Sequence, residues 1–489
     1  MLSRREFVAT TAAVAVLGFD SARGGWVTSA HAARRGSFDR VPRLDGTLLL
    51  DQVSRLADAT DNGNIVRRVP RAVLRPGSVE DIRAMIGFCR RHRIEVATRG
   101  QAHTTHGQGL CAGLIVESRP LNRIHSIDAG VADVDAGVLW SELVAAAYPL
   151  GLTPPLLTGF IGLSIAGTLS VGGVPNQNDQ GLQIDRVLEL EVVTGTGEVV
   201  CCSPSRRRDL FEVMLGGLGQ CGVITRAKVE LVPAKPMVRT YNLYYVDNAT
   251  FFADLRTLVD RGETDGVTNI WFFAGPTLLY QLNAVRYFDP AHPPDDAHLL
   301  RGLHGLDPPP LPGAVTDLPY PDWALRVDRL IESFRATIDW DHLVKPWFDV
   351  WLSESAVEDY VGEVMRTLTP ADIGAGGFAL LFPQQRSKLT RPFLRLPEPD
   401  GHDRVYLFDI LTASERAGPD RRFARAMLRR NRQLFDRARA TGGTRYPIGS
   451  VEFDRADWVA HYGQLWPVLK RRKRRYDPDG ILTPGPGIF

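Results

Sequence analysis

Arg99-Gly100-Gln101-Ala102-His103-Thr104-Thr105-His106-Gly107-Gln108 is the stretch on which the reading of this chain turns. It follows Ile94-Glu95-Val96-Ala97-Thr98, whose alternation of apolar and polar residues predicts a short strand. A glycine-bearing turn after a strand can offer backbone N–H groups to phosphate oxygens, because glycine permits positive φ and close approach of the main chain. A histidine within such a turn is a candidate for chemistry on whatever the phosphates carry. Two more glycine-rich runs follow, Gly167-Thr168-Leu169-Ser170-Val171-Gly172-Gly173 and Gly216-Gly217-Leu218-Gly219-Gln220-Cys221-Gly222-Val223-Ile224-Thr225. The last contains a GxGxxG pattern at Gly217, Gly219 and Gly222. A Rossmann site needs that pattern after a strand and at the start of a helix. Here the order is reversed: Arg208 to Leu215 predicts a helix before it, and Val223 to Val229 alternates like a strand after it. A nicotinamide site is therefore rejected.

At 489 residues the chain is larger than one typical domain, and two lobes are expected. Its 44% of hydrophobic residues suffices for a core and argues against disorder. A net charge of +2 does not point to nucleic acid, whose binders gather positive charge on one face. The run Lys470-Arg471-Arg472-Lys473-Arg474-Arg475 is the exception, and it predicts a solvated helix end before Asp477-Pro478. The five cysteines, Cys89, Cys111, Cys201, Cys202 and Cys221, have neither metal-site nor disulfide-framework spacing. They predict small core residues, and no metal site is expected. Ser3-Arg4-Arg5-Glu6-Phe7 is a twin-arginine pattern, followed by an apolar stretch from Val8 to Phe19 and by Ala30-His31-Ala32, a small-x-small cleavage signal. Residues 1–32 thus predict export of a folded protein by the twin-arginine machinery, to the periplasm or outside a bacterial cell. The apolar stretch is too short to span a bilayer, and no other segment approaches a membrane span.

Beyond the signal, residues 33–65 predict a leader, with a short helix within Leu48 to Ala59. From Arg68 strands and helices alternate. Ala72-Val73-Leu74 lies in a strand ending at Pro76. Ser78 is an N-cap with Glu80 and Asp81 in the first turn, and Ile82, Met85, Ile86 and Cys89 follow at helical spacing. Strands are expected around Leu114–Glu117 and Ala132–Ala136, and a helix over Val138–Tyr148. A hairpin of Val187–Val193 with Glu198–Cys202 is expected to turn at Thr194-Gly195-Thr196-Gly197. Residues 66–236 make one lobe. A composition shift near Tyr241 opens a second, 237–430, with strands within Val344–Leu352, Gly377–Phe382 and Val405–Leu411. Within it, residues 290–321, rich in Pro, Asp and His, predict a long surface loop over the active site or a mobile linker. A helix over Pro419–Thr441 leads into a closing segment, 431–489, that returns to the first lobe.

The three glycine-rich runs together resemble the flavin domain of the vanillyl-alcohol-oxidase superfamily, of PCMH type, and cytokinin dehydrogenases in particular. Those enzymes carry Arg-Gly-x-x-His-x-x-x-Gly-Gln, then Gly-Gly-Thr-Leu-Ser, then Gly-Gly-Leu-Gly-Gln-x-Gly-Ile-Ile-Thr. The end of the chain, Tyr476-Asp477-Pro478-Asp479-Gly480-Ile481-Leu482-Thr483-Pro484-Gly485, resembles the family's closing segment. The resemblance implies an α+β, two-lobed PCMH-type FAD-binding fold whose second lobe is an antiparallel sheet with helices. It implies FAD as cofactor, hydride abstraction from a C–H next to O or N of a small molecule, and oxygen or a quinone as electron acceptor. His103 matches the histidine that bonds covalently to flavin in related enzymes. Leu157 to Ser170 holds no cysteine, so the second attachment of some members is not expected. Arg99, Gly100, Gln101, Ala102, Thr104, Gly107 and Gln108 complete the first flavin loop, with Gln108 next to the ring system. Gly167, Thr168, Ser170, Gly172 and Gly173 match the pyrophosphate cradle, preceded by Thr158 and Gly159. Gly222, Val223 and Ile224 match the adenine and ribose side.

Three departures bear on chemistry. Cytokinin dehydrogenases have a Trp-Thr-Asp run before the second loop, whose aspartate accepts the substrate proton; this chain reads Leu157-Thr158-Gly159. A second substrate-binding acid of that family has no counterpart within Asn269 to Ala274. The closing Pro-Gly-Gln becomes Pro484-Gly485-Pro486. Glycine cannot serve as a base, which disfavours cytokinin oxidation proper. Tyr446, in Thr444-Arg445-Tyr446-Pro447, corresponds to a family tyrosine near flavin and substrate, and is expected to act as a tyrosinate base aided by Arg445. Lys345 replaces a family histidine beside the pocket. Trp271, Trp347 and Trp351 predict a flat apolar pocket for an aromatic or terpenoid substrate. Glu142 and Asp179 are fallback carboxylates. A flavin-binding protein that has lost its base, or a non-oxidative cyclase of natural products, are the alternatives.

Overall fold

Ala72-Val73-Leu74 and Leu114-Ile115-Val116 are continuous apolar runs and are buried along their length, as strands covered on both faces require. They lie in β2 (Ala72–Arg75) and β4 (Leu114–Glu117), which with β1 (Thr47–Leu49) and β3 (Val96–Arg99) form a sheet in the order β1-β2-β4-β3. β2 and β3 run parallel to β4, and β1 is an antiparallel edge. The helix Val79–His92 makes the crossover from β2 to β3. The Ser78 side chain accepts from the Asp81 amide to cap it, and the helix packs Ile82, Met85, Ile86 and Cys89 on the sheet. The computed structural model describes residues 16–20, 25–28, 38, 40–305 and 314–489. Arg4-Arg5 and Ala30-His31-Ala32 lie outside the described residues. Within the predicted signal, Val16–Asp20 pairs with Gly25–Thr28 as an antiparallel hairpin. Much of the predicted leader is structured: it supplies β1, the helix Gln52–Ala57, and two buried acids, Asp58 and Asp61.

A second sheet of the first lobe contains β5 (Ile124–Asp128), β6 (Val131–Asp135), β7 (Val187–Thr194), β8 (Val199–Cys202) and β9 (Gly222–Glu230), antiparallel in the order β8-β7-β9-β6-β5. The hairpin β7–β8 closes where the Thr194 amide donates to the Glu198 carbonyl, with Gly197 at φ +80°.

The second lobe is built on eight strands: β10 (Met237–Tyr245), β11 (Gly266–Ala274), β12 (Thr277–Phe288), β13 (Val315–Pro319), β14 (Phe348–Ser353), β15 (Phe378–Gln385), β16 (Arg404–Leu411) and β17 (Thr444–Arg445). Their order is β13-β10-β12-β11-β15-β16-β14-β17, antiparallel throughout. Phe348, Val350 and Leu352 of β14, and Tyr406, Phe408 and Ile410 of β16, point to one face. There the helices Asn248–Arg261, Glu354–Thr367 and Arg421–Ala440 cover them. The intervening residues point at the first lobe. The segment predicted as a long surface loop is corrected in part. Val315–Pro319 is the edge strand β13, paired with β10, and the helix Tyr320–Ala324 follows it directly, with Tyr320 and Trp323 buried in the core.

The closing segment returns to the first lobe only beyond β17; its start, in the helix Arg421–Ala440 and β17, belongs to the second lobe, which corrects the boundary at 431. Val96 and Leu482 form a parallel bridge, the Val96 amide donates to the Ile481 carbonyl, and the Thr483 amide to the Val96 carbonyl. The basic run ends a helix before Asp477 as expected, with Arg471, Arg474 and Arg475 exposed, but Arg472 is half-buried and Lys473 buried. It lies in the helix Trp466–Tyr476, where Arg472 pairs with Glu212 and Arg475 with Asp209. Lys473 is buried, its Nζ 2.9 Å from the Gln220 and Leu482 carbonyls and 2.7 Å from Asp477, whose carboxylate accepts the Ile481 and Leu482 amides. All five cysteines are free. Lys473→Met leaves Asp477 as an uncompensated buried charge, and urea denaturation is expected to show a loss of about 3–5 kcal/mol.

Candidate functional site

The turn that carries His103 is shaped by Asp61. This buried carboxylate accepts the Gly107 amide at 2.6 Å, the Thr104 hydroxyl at 3.1 Å and the Gly63 amide at 3.2 Å. Burial pushes its pKa up to about 6 against those hydrogen bonds. Gly107 adopts φ +77°, and a Cβ there would come 2.8 Å from Val66. Gln108 fastens the turn to the C-terminal segment: its Nε2 donates to the carbonyls of Pro447, Ile448 and Gly449 at 3.0–3.1 Å, and its Oε1 accepts the His106 amide.

So held, the His103 ring sits between Phe160 and Trp347, with centroids 5.3 and 5.1 Å away. Burial, then the charges of Lys345 and Arg335, pull its pKa down to about 4. The imidazole is neutral at ordinary pH, and no hydrogen bond to its ring occurs among the described residues. His106 is likewise depressed to about 4 by burial; it lies off the wall of the cavity that His103 lines.

That cavity encloses about 650 Å³ between the two lobes. All three glycine-rich runs reach it. The first supplies Arg99, Gly100, Gln101, Ala102, His103, Thr104 and Gln108; the second supplies Gly167, Thr168, Ser170 and Gly173; the third supplies Gly222, Val223 and Ile224. Thr158 and Gly159 also line it. Gly107 and Gly172 stand behind the wall, the latter where a Cβ would meet the Tyr446 ring at 3.1 Å. The opposite wall is the inward face of the eight-stranded sheet, with Phe378, Leu380 and Phe382 of β15 and Leu407 and Leu411 of β16 at its centre. Val327, Leu330, Ile331 and Phe334 of the helix Arg326–Ile338 close one side.

Four expected site residues are placed elsewhere. Trp271 is core: on β11 it is Ile270 that reaches the cavity, and Trp271 packs at 5.2 Å from Phe251 on the helical face. A strand alternates with period two, so neighbours take opposite faces. Trp351 is fully buried behind Tyr446, ring to ring at 6.1 Å, and does not line the cavity. Lys345 is also buried behind the wall, its Nζ donating to the Trp340 and Leu343 carbonyls at 2.7 and 3.2 Å. Arg445 points away from its neighbour Tyr446, lying over the rings of Phe453 and Trp458 with Nη2 donating to the Gly449 carbonyl. Tyr446 does line the cavity, and its hydroxyl accepts the Gly173 amide at 3.3 Å. Burial holds its pKa far above the ordinary phenol value, and nearby Asp409 and Asp349 raise it further. A tyrosinate base aided by Arg445 is therefore corrected to a protonated phenol. Glu142 is tied to Arg119, and Asp179 is exposed outside the cavity.

Three residues at the wall escaped the sequence reading. Ser164 sits in the first-lobe wall with its hydroxyl buried and unpartnered. A Cβ on Gly100 or Gly167 would come within 2.2 or 2.8 Å of that oxygen, so only glycine allows these backbones so close. Asp349 on β14 and Asp409 on β16 are direct cross-strand partners, and both line the cavity. Apart from the hydrogen bond between the two carboxyls, no donor reaches either oxygen of Asp349 or Oδ1 of Asp409 among the described residues. Burial pushes Asp349 up to about 7, against the hydrogen bond with Asp409 and the pull of Arg445; burial and the charge of Asp349 raise Asp409 well above the carboxylate range. An acid inside Phe348-Asp349-Val350-Trp351 or Leu407-Phe408-Asp409-Ile410 was the visible signal, because aspartate is depleted in strands and costly in apolar surroundings.

Comparison with known proteins gives concordant matches. Residues 70–203 match the family model of the FAD binding domain, and residues 274–489 match that of cytokinin dehydrogenase 1, FAD and cytokinin binding. An uncharacterized oxidoreductase of the fasciation locus of Rhodococcoides fascians is 33% identical over 445 residues, spanning 90% of this chain and 99% of that protein. Cytokinin dehydrogenase 8 of Oryza sativa is 32% identical, spanning 88% of this chain and 91% of its own length. Cytokinin dehydrogenase 1 of Arabidopsis thaliana is 29% identical over 91% of this chain and 83% of its own. The role of Asp61 is open to direct measurement. Asp61→Ala is expected to speed hydrogen exchange at the Gly63 and Gly107 amides and to cost about 2–3 kcal/mol of stability.

Proposed function

The chain belongs to the FAD-dependent oxidoreductases related to cytokinin dehydrogenases, and from that premise we propose that it oxidises a small, largely apolar molecule at a C–H bond next to nitrogen or oxygen. One observation carries this reading: the three glycine-rich runs and the apolar face of the second-lobe sheet line one cavity, with His103 in its wall. The first-lobe wall suits FAD. Gly100 and Gly167 bring main chain against the Ser164 hydroxyl, which is buried without a partner and open to a ligand's oxygen. Residues 167–173 would hold the pyrophosphate and residues 222–224 the adenosine end. FAD bound there supplies hydride acceptance from the substrate and later transfer of the electrons to oxygen or a quinone.

The protein's own groups divide the remaining work. The neutral His103 ring keeps an available nitrogen lone pair, the requirement for a covalent bond to the flavin. Phe378, Leu380 and Leu407 exclude water. Tyr446, kept protonated by burial, can donate a hydrogen bond but not take up a proton. Thr240, Asn242, Asn283 and Thr316 give the far end of the cavity a polar rim. Oxidation of a cytokinin is a second reading, favoured by the match over residues 274–489 and opposed by Gly159. Export through the twin-arginine route is proposed from Arg4-Arg5. No helix among the described residues is long and apolar enough to cross a membrane.

Anaerobic mixing of the flavoprotein with pooled donors, namely isopentenyladenine, aromatic alcohols and sugars, tests the reading. Bleaching of the visible flavin band by one pool is expected; a bound flavin that no pool reduces would overturn it. His103→Ala is expected to abolish acid-stable flavin, read as loss of yellow colour from the precipitated polypeptide. Colour that persists in the precipitate refutes the linkage.

A further inference from the structure

We propose that Asp349 and Asp409 form a carboxylate pair that holds one proton between them and takes a second from the N–H or O–H of the substrate as the adjacent C–H is oxidised. The substrate it fits presents a hydrogen-bond donor, an amine or an alcohol, and not an anionic group, at that point of the cavity. The chemistry rests on the oxidoreductase reading above; the sharing of a proton does not.

Geometry comes first. The two aspartates are direct partners on adjacent antiparallel strands, so their side chains leave the same face of the sheet, with Cβ atoms about 4.5–5.5 Å apart. That face is the cavity wall, and both acids belong to it. Their row continues through Leu380 and Ile270, so the acids stand at one end of an apolar strip. Gly449 backs Asp349 closely enough that a Cβ there would fall 2.0 Å from Oδ2. Three of the four carboxylate oxygens are buried with no N–H or hydroxyl donor, so the acids hydrogen-bond to each other, although buried polar groups ordinarily find partners elsewhere. These acids cap no helix and bind no arginine. Their open side is the cavity, so a ligand is the partner the arrangement leaves room for.

Electrostatics then sets the proton count. Two carboxylates this close in a medium of low polarity do not both ionise. Burial raises both; the charge of Asp349 and the hydrogen bond to it raise Asp409 further, while that same bond and Arg445 hold Asp349 down to about 7. The titratable groups whose charge reaches the pair are Arg445, which lowers Asp349, and Tyr446, which stays protonated; His103, Asp61 and Arg326 line other parts of the cavity. The singly charged pair is thus the base, and it forms as pH rises through neutrality.

The step balances. The X–H bond of the substrate breaks, and a new O–H bond forms on the pair, whose charge goes from minus one to zero. The X–H electrons become the second bond between X and carbon as the C–H departs as hydride. The substrate loses two electrons, bound FAD gains two, and the proton later returns to solvent. This base stands on the second-lobe sheet, across the cavity from Gly159 in the first lobe.

The test uses the flavin-loaded enzyme and its isosteric variants Asp349→Asn and Asp409→Asn. Infrared difference spectra without substrate are expected to show a protonated-carboxyl C=O band that titrates near neutral pH in the wild type and is lost or moved in each variant. Flavin reduction by an accepted donor is expected to rise with pH through the same range in the wild type. In Asp349→Asn it should lose that rise and slow by about 10²–10⁴-fold. Unchanged infrared titration in both variants overturns the shared proton, and unchanged rate and pH profile in both overturns the base. If no donor reduces the wild type, the infrared titration still decides the pair, while the oxidoreductase reading fails separately. Should one variant fail to fold, the other carries the same comparisons.

Discussion

The two-residue period of an antiparallel sheet is the constraint from which the site follows. Each strand of the eight-stranded sheet must satisfy two environments at once, a helical layer on one side and the cavity on the other. Tyr406, Phe408 and Ile410 fill the first; Leu407, Asp409 and Leu411 face the second. A shift of one residue in any strand would exchange the two sets. It would drive Asp349 and Asp409 into the packed helices and empty the cavity of its acids. Burial of the large apolar set, roughly 1.5–3 kcal/mol per side chain, therefore fixes where the acids stand, at a cost the acids themselves impose.

The first lobe solves the complementary problem of holding irregular backbone rigid. The His103 turn has little apolar surface of its own. It is pinned by Asp61 from one side and by Gln108, which spends its amide on three carbonyls of residues 447–449. Those bonds also join the His103 turn to the segment that follows directly on Tyr446. The bridge between Val96 and Leu482 and the buried Lys473–Asp477 pair repeat the theme. The cavity thus lies between lobes fastened by polar groups with little freedom, and the groups in its wall hold shifted protonation states: His103 neutral, Tyr446 protonated, and the acid pair raised.

Much of this was legible in the residues. Short, strongly patterned segments such as Val79–His92, β4 and the β7–β8 hairpin carry their own signals: a capping serine, a continuous apolar run, a Gly-rich turn. The three glycine runs could be tied to one cofactor because together they resemble the loops of a known flavin domain; the collisions that require glycine at Gly100 and Gly107, with Ser164 and Val66, appear only in the fold. Misplacements came where the deciding partner is distant. Trp271 and Ile270 are adjacent and both apolar, and nothing local says which faces the helices. Lys473 reads as one cation among six until Gln220, Leu482 and Asp477 are brought around it. Asp61 sits in a stretch that looks like a leader, and its partners lie some forty residues on, at Thr104 and Gly107.

The sequence by itself pointed to the two-lobed α+β class and the flavin-type loops, because the motifs that resemble a known family depend on residue identity at short range; Gly159 as a departure from that family's acid is part of the same resemblance. Only the tertiary structure decided where proton chemistry is seated. Asp349 and Asp409 are sixty positions apart and unremarkable singly; antiparallel register makes them partners, and burial without other hydrogen-bond donors raises their proton affinity. Tyr446 and Arg445, neighbours in the chain, are parted by the same geometry, one to the cavity and one to Phe453 and Trp458. Proton affinity depends on what surrounds a group in space, and for these residues that is set by strands far away in the chain.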